Sequence, residues 1–306
     1  MTSIAQRLAA DELVIIDGAM GTELERRGVP MDALAWSGAA AIDYPEAVLA
    51  AHKDYIEAGA EAIITNTFGM SPFMLAATSH ADMAEDGLRA AVRLAKQARD
   101  ECGRPEVAIA GSISTMAAGG DLDNPRPAPT AEVALDGFRL MARIFKEEGL
   151  EAIALEMMED TYRAPLAMRA AKESGLEVWL GVSCARPTGG GELTAFDFPQ
   201  IRFADVLDGL IPMGPDIVCV MHSDIRVTDA AVKMVQERWK GPLGVYPESG
   251  YFTMPNWHFV DVIAPEDLVA EAKSWIAHGV RLIGGCCGLG PDHVRALVAA
   301  RKELAP

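Results

Sequence analysis

Short runs of Val, Ile and Leu alternate along the chain with longer Ala-rich stretches in which apolar residues recur at helical spacing. Each apolar run has the length of one buried strand and is followed by a loop or an amphipathic stretch, a pattern typical of βα units. The pattern therefore predicts an α/β protein with eight strands. The runs span residues 13–17, 61–65, 106–112, 151–156, 177–182, 216–221, 241–246 and 280–285.

The amphipathic stretches carry the residues that start and stop helices. Several begin with Pro, or with Thr or Ser followed by acidic residues, and several end in Gly. Eight strands alternating with helices in 306 residues fit one (β/α)8 TIM barrel, a single domain over residues 1–306. A doubly wound sheet is the alternative fold, because a count of strands does not prove that the sheet closes into a barrel. Helices are expected at 45–60, 81–101, 130–149, 264–279 and 291–304.

Four loop-rich stretches each follow a predicted strand: 18–44, 113–129, 184–200 and 246–263. In a (β/α)8 barrel the loops after the strands build the active-site face. Long insertions there predict a covered pocket, and the chemistry is expected at the carboxyl ends of the strands.

Composition and charge narrow the classes of partner. Half of the residues are hydrophobic, which favours a folded core, and 27 Lys and Arg against 44 Asp and Glu give a net charge of −17. That charge repels phosphate backbones and anionic lipids, so neither a nucleic acid nor a membrane is expected as a partner. The N-terminus lacks the apolar run of a signal peptide, and five cysteines do not suggest a disulfide framework. We expect a cytoplasmic protein with reduced thiols.

The most distinctive local pattern is the adjacent pair Cys286 and Cys287, with Gly284 and Gly285 before it and Gly288 after it. Neighbouring strand residues point to opposite faces, so both thiols can reach one metal only where the backbone bends, and glycines permit that bend. A tight structural turn and a phosphate cradle are the alternatives.

A catalytic zinc site needs three protein ligands, so a third must come from another strand. The candidates are Cys219 and His222, and His222 lies nearer the end of its predicted strand.

Two acids, Asp17 and Glu156, fall at the ends of apolar strands. A buried carboxylate is costly without a partner, so such residues are usually paired or functional. Facing one mouth, they would suit a cationic ammonium group. The alternative is that each caps a helix or holds a loop.

The sequence resembles the homocysteine S-methyltransferase family in segments that span nearly the whole chain. The Gly-Gly-Cys-Cys-Gly segment is the most specific of them, and its combination with Asp-Gly-Ala-Met-Gly-Thr-Glu is hard to obtain by chance. The matching segments are residues 17–24, 45–48 with His52 and Tyr55, 58–60, 65–68, 110–112, 155–156, 246–247, 249–250 and 283–291.

The resemblance implies a barrel with Zn²⁺ at the strand ends and methyl transfer from a small methylated donor to a zinc-bound homocysteine thiolate, giving methionine. It implies that Cys286 and Cys287 are zinc ligands, with His222 where a third cysteine is usual. Trp36 and Phe68 are expected beside the donor. The residues expected to bind the acceptor are Asp17, Gly18, Asn66, Thr67, Ser112 and Glu156.

The departures from the family pattern are as informative as the matches. His222 replaces the usual cysteine, and Glu248 stands where Asn more often follows Tyr-Pro. Zinc accepts two cysteines and a histidine, so the metal site can survive this change. The departures leave two alternatives open: a divergent family member that acts on another thiol or another methyl donor, and a barrel that binds zinc or an amino acid without turnover. A zinc-dependent hydrolase or lyase is a rival from another reaction class.

The expected partners are a small thiol and a methyl donor, and homo-oligomerisation is left open. Aromatic residues make up only 6% of the chain, and the positions after Phe68 and Glu156 are Gly69 and Met157. A full aromatic cage for betaine is therefore not expected. A sulfonium such as S-methylmethionine is the preferred donor.

Overall fold

The structure, a computed structural model, describes residues 2–32, 34–76, 78–116, 129–253 and 258–304. Eight parallel strands follow one another around one sheet in chain order, and the first strand pairs with the last. A bridge between Ile16 and Ala62 joins the first strand to the second. The predicted barrel is thus confirmed, and the doubly wound sheet is excluded. The strands are Val14–Ile15, Ala62–Ile64, Ala108–Ser114, Ala152–Met158, Glu177–Val182, Ile217–Asp224, Leu243–Glu248 and Leu282–Ile283.

The five predicted helical stretches are helical in the structure, with ends shifted by a few residues. Two short helices lie within the expected loop 18–44. None of the helices in the described ranges is both long and apolar enough to cross a bilayer. The α-helices of these ranges are Ile4–Ala9, Met20–Arg26, Ala40–Asp43, Pro45–Ala58, Pro72–Leu75, Ala84–Glu101, Ala131–Glu147, Ala164–Ser174, Phe203–Leu210, Ile225–Arg238, Pro265–Ala277, Pro291–Ala299 and Arg301–Leu304.

Two of the long loops contain small antiparallel hairpins. Cys184–Ala185 pairs with Thr194–Ala195 after the fifth strand, and Tyr251–Thr253 pairs with His258–Val260 after the seventh. Of the stretch 113–129, residues 117–128 lie outside the described residues. The described insertions follow the carboxyl ends of the strands, as the sequence predicts.

Every second strand residue points into the barrel and fills it. Alanines dominate this inner layer on the second to fourth strands, while Trp179 and Tyr246 fill the opposite side. Ile4 and Leu8 of the first helix pack into the same cluster, beneath the amino ends of the strands. The barrel is therefore a filled core, and side chains can meet a ligand only at its carboxyl end.

The strand residues that point outward pack against the ring of helices in a second, larger core. Gly111 of the third strand lies directly beneath the ring of Phe145, which comes from the helix Ala131–Glu147, and a Cβ at this glycine would overlap that ring. The close approach of helix and strand at this point therefore requires glycine.

We expect Gly111→Ala to lower the free energy of unfolding by about 1–3 kcal/mol, because the added methyl overpacks the contact with Phe145. Denaturant unfolding followed by circular dichroism measures the loss. Gly209→Ala is the matched control, since a Cβ at this exposed helical glycine meets nothing within 4 Å. The control should keep or slightly raise stability. Equal losses in both variants would contradict the packing argument.

Candidate metal centre and acidic pocket

His222 reaches the barrel mouth because its strand is irregular there. Cys219 and Met221 point into the barrel, so simple alternation would turn His222 away from it. The pairing register with the seventh strand shifts between Met221 and Asp224, and His222 adopts a left-handed backbone with φ of 41°. This bulge aims the imidazole at the eighth strand, where its Nδ1 lies 3.4 Å from the Sγ of Cys286.

The cysteine pair sits in a turn at the end of the eighth strand. The N–H of Cys286 donates to the carbonyl of Pro247 at 2.8 Å, and the N–H of Leu289 donates back to the carbonyl of Cys286 at 3.0 Å. Gly288 has φ of 85°, and a Cβ on it would overlap the carbonyl oxygen of Ser249. This bend is the one that the flanking glycines predict.

The bulge and the turn together bring His222, Cys286 and Cys287 into one group, whose three ligand atoms lie within 4.8 Å of one another. Tetrahedral zinc bonds to nitrogen and sulfur would separate those two atoms by about 3.6 Å. The observed 3.4 Å between His222 and Cys286 fits that value. Cys219 is fully buried deeper in the barrel and is not part of the group.

Without a metal, the raised pKa values of this group keep its thiol and imidazole protonated. Hydrogen bonding to Cys287 and burial raise the pKa of the Cys286 thiol well above its usual value, against the lowering effect of His222. Burial lowers the pKa of His222, but Glu248 and Cys286 outweigh it and raise that pKa to about 10. A bound metal would therefore displace protons from both residues.

Further side chains lie near His222 and Glu248. Its Nε2 lies 3.4 Å from the Oε2 of Glu248, and its ring lies 4.7 Å from that of Phe196, measured between centroids. Burial, reinforced by Asp197, raises the pKa of Glu159 to about 8. Sequence reasoning noted Glu248 only as a departure and missed the other three. Glu248 lies two residues after Tyr246, which points into the barrel, so strand alternation could have placed Glu248 at the mouth. Phe196 and Asp197 lie on an irregular loop, where no such alternation applies.

The two acids predicted to bind an ammonium group lie together at the mouth. Asp17 is buried, and its Oδ2 accepts from the N–H of Ile64 at 2.8 Å. Burial raises the pKa of Asp17 well above its usual value, and the neighbouring Glu156 raises it further. Burial also raises the pKa of Glu156 to about 7, against a hydrogen bond from Ser112. Within the described ranges neither carboxyl forms a salt bridge, and His222 acts on Glu156 only electrostatically.

The remaining predicted acceptor residues form a buried network beneath these acids. Ser112 donates to Glu156, and Thr67 donates to the backbone carbonyl of Ser112 at 2.7 Å. The amide of Asn66 donates to the carbonyl of Ser37 at 3.1 Å and so holds the loop after the first strand. In this structure Ser112 orients Glu156, while Thr67 and Asn66 bond to the backbone of neighbouring segments.

Gly18 and the two predicted donor-side aromatics also lie on this face. A Cβ on Gly18 would overlap the carbonyl oxygen of Leu289, so the glycine permits the loop after the first strand to pass the cysteine turn. Trp36 covers Gly21 and meets Phe68 edge-to-face, with ring centroids 6.2 Å apart. The two aromatics form one half-buried pair.

The chain is similar to known proteins over most of its length. The chain is 28% identical over 305 residues to homocysteine S-methyltransferase 1 of Zea mays, covering 92% of each protein. It is 29% identical over 327 residues to betaine–homocysteine S-methyltransferase 1 of Xenopus tropicalis, covering 99% of this chain and 75% of that protein. The metallated form of the homocysteine methyltransferase MmuM of Escherichia coli has the same fold, with a TM-score of 0.74 and 23% identity over 94% of this chain and 96% of that one.

The fold is a (β/α)8 barrel with a His-Cys-Cys group at its carboxyl end. The sequence profile described as homocysteine S-methyltransferase matches residues 14–301. The chain therefore belongs to the homocysteine S-methyltransferase family.

We expect the protein to bind about one zinc per chain and Cys286→Ala/Cys287→Ala to lose it, because one histidine does not hold zinc alone. His222→Ala should also lose zinc or bind it weakly. Cys219→Ala is the matched control and should keep its zinc. Metal analysis after dialysis against a weak chelator measures each content. Loss of zinc in Cys219→Ala, with full retention in His222→Ala, would make Cys219 the third ligand.

Proposed function

We propose that this protein is a zinc-dependent S-methyltransferase that transfers a methyl group from a small sulfonium donor to the thiol of homocysteine, giving methionine. The observation that carries the proposal is the convergence of His222, Cys286 and Cys287 at the barrel mouth of a member of this family. Two acids beside them, Asp17 and Glu156, supply a place for the amino group of the acceptor.

The residues present fit a zinc ion. Two thiols and one imidazole are a ligand set that zinc accepts, and three protein ligands leave one position for a substrate atom. When bound, zinc would supply the positive charge that keeps a thiol deprotonated near neutral pH. His222 in place of a thiolate would make the centre less negative by one unit, and would thus lower the nucleophilicity of the acceptor sulfur.

The acidic pocket favours an amino-acid acceptor over a thiol without an amine. The Oδ2 of Asp17 accepts the backbone N–H of Ile64, which fixes the orientation of this carboxylate. Ser112 fixes the orientation of Glu156. An ammonium group between these carboxyls would favour their ionised forms and form charge-assisted hydrogen bonds.

A sulfonium donor suits the surroundings better than betaine. The aromatic pair Trp36 and Phe68 offers one apolar surface, and Met157 follows Glu156 in the chain. A cation held by one aromatic wall and nearby carboxylates needs no full aromatic cage.

We expect the zinc-loaded protein to convert homocysteine to methionine with S-methylmethionine and to react more slowly with betaine. Mass spectrometry of the products, with a methyl-labelled donor, measures the transfer. Cys286→Ala/Cys287→Ala should lower the rate more than about 100-fold, because the acceptor thiol is then mostly protonated. Binding of homocysteine without transfer from any donor would instead support a non-catalytic barrel. Transfer only to other small thiols would support a divergent acceptor.

We expect methionine, used as a probe without a titrating thiol, to bind more weakly as the pH falls from 8 to 6. The pKa of Glu156 is about 7, so its anionic form is lost across this range. Glu156→Gln should bind methionine roughly 10–100-fold more weakly at pH 8 and should lose that pH dependence. Calorimetric titration measures both. An unchanged pH dependence in Glu156→Gln would assign it to another group.

A further inference from the structure

Two residues at which the chain departs from the family pattern, His222 and Glu248, lie face to face. The Nε2 of His222 is 3.4 Å from the Oε2 of Glu248, and the two side chains are only 14% and 13% exposed. The Nδ1 of the same ring lies 3.4 Å from the Sγ of Cys286. The two ring nitrogens thus face different partners: Nδ1 faces the thiol of Cys286, and Nε2 faces the carboxylate of Glu248.

This arrangement has a specific chemical use in a metal site. A neutral imidazole binds a metal through one nitrogen and carries its hydrogen on the other. A carboxylate that accepts this hydrogen fixes the ring orientation and makes the ligand more basic. A cysteine at position 222 would have no N–H to donate to a carboxylate, and its thiolate would be repelled by a carboxylate beside it.

Other neighbours do not account for the position of Glu248. Burial raises its pKa, His222 opposes that rise, and Asp224 and Asp197 add to it. Of these three charged neighbours, only His222 attracts a carboxylate. Glu159 also acts on His222 electrostatically, but its Oε2 accepts the backbone N–H of Asp197 at 2.8 Å. Glu248 is therefore the carboxylate placed to serve the imidazole.

We propose that Glu248 is a positioning residue, which holds His222 with Nδ1 toward the metal and the Nε2 hydrogen toward its own carboxylate. The two departures then form one unit, in which the acid compensates for the exchange of a thiolate for an imidazole. The proposal rests on the metal centre of the proposed function.

A double-mutant cycle on zinc affinity tests this unit. Competition with a chromophoric chelator at fixed pH gives the dissociation constant for the wild type, Glu248→Gln, His222→Cys and the double variant. Glu248→Gln should weaken zinc binding about 10–100-fold when His222 is present. With His222→Cys, the same change should leave zinc affinity unchanged or tighten it, because the carboxylate then has only a thiolate beside it.

A control variant and a spectrum separate positioning from a general loss of structure. Glu61→Gln removes a carboxylate of similar exposure, 16%, that pairs with Arg7 and Arg301 at the opposite end of the barrel. It can lower folding stability but should leave zinc affinity unchanged. In the cobalt-substituted protein, Glu248→Gln should shift the ligand-field bands when His222 is present and should leave them unchanged in the His222→Cys background.

The outcomes distinguish this inference from the proposed function. Equal weakening by Glu248→Gln in both backgrounds, or no weakening with His222 present, would overturn the positioning role while leaving methyl transfer intact. A wild-type protein that binds no zinc would overturn both.

Discussion

The two-residue period of a β-strand is the constraint on which the candidate site depends. It fills the barrel with every second side chain and would leave the neighbouring residue of each strand facing the helices. The site arises where two strands break that period. Met157 and His222 both have left-handed backbones, with φ of 52° and 41°, and each lies at a register shift. Such conformations cost about 1–3 kcal/mol each in non-glycine residues, so the packed barrel beneath must stabilise them.

The sequence predicts most of the fold because local pattern and global architecture agree. Buried parallel strands are apolar on both faces, which makes the eight runs easy to find, and the ring of helices keeps a clear apolar stripe. Strand ends were less certain: the sixth strand extends to Asp224 instead of ending at residue 221, because its bulge carries the pairing past polar residues. Closure of the barrel could be established only from the structure, since no sequence pattern indicates the bridge between Ile16 and Ala62.

The sequence predicts the part of the site where glycines indicate the backbone conformation. It predicts less well the part where a β-bulge determines which way a side chain points. Glycines around Cys286 and Cys287 predict a turn, and the structure has one. Strict alternation would place Cys219 inside the barrel and His222 outside it, so alternation alone would favour Cys219 as the ligand. The bulge that turns His222 inward is seen only in the structure. Glu248 was visible as an unusual residue, but its contact with His222 depends on two strand ends meeting. Asn66 holds a loop through Ser37, a contact that residue type alone does not reveal.

The seam between the first and second strands has a consequence for how the barrel responds to its ligand. Carboxylates accept backbone N–H groups at both ends of this seam: Glu61 from Ile15 at 3.1 Å and Asp17 from Ile64 at 2.8 Å. Asp17, which we propose binds the amino group of the acceptor, thus also accepts a hydrogen bond from the sheet. A ligand bound as proposed would favour the ionised form of this carboxylate, and would thereby also strengthen its hydrogen bond to the second strand and the closed seam.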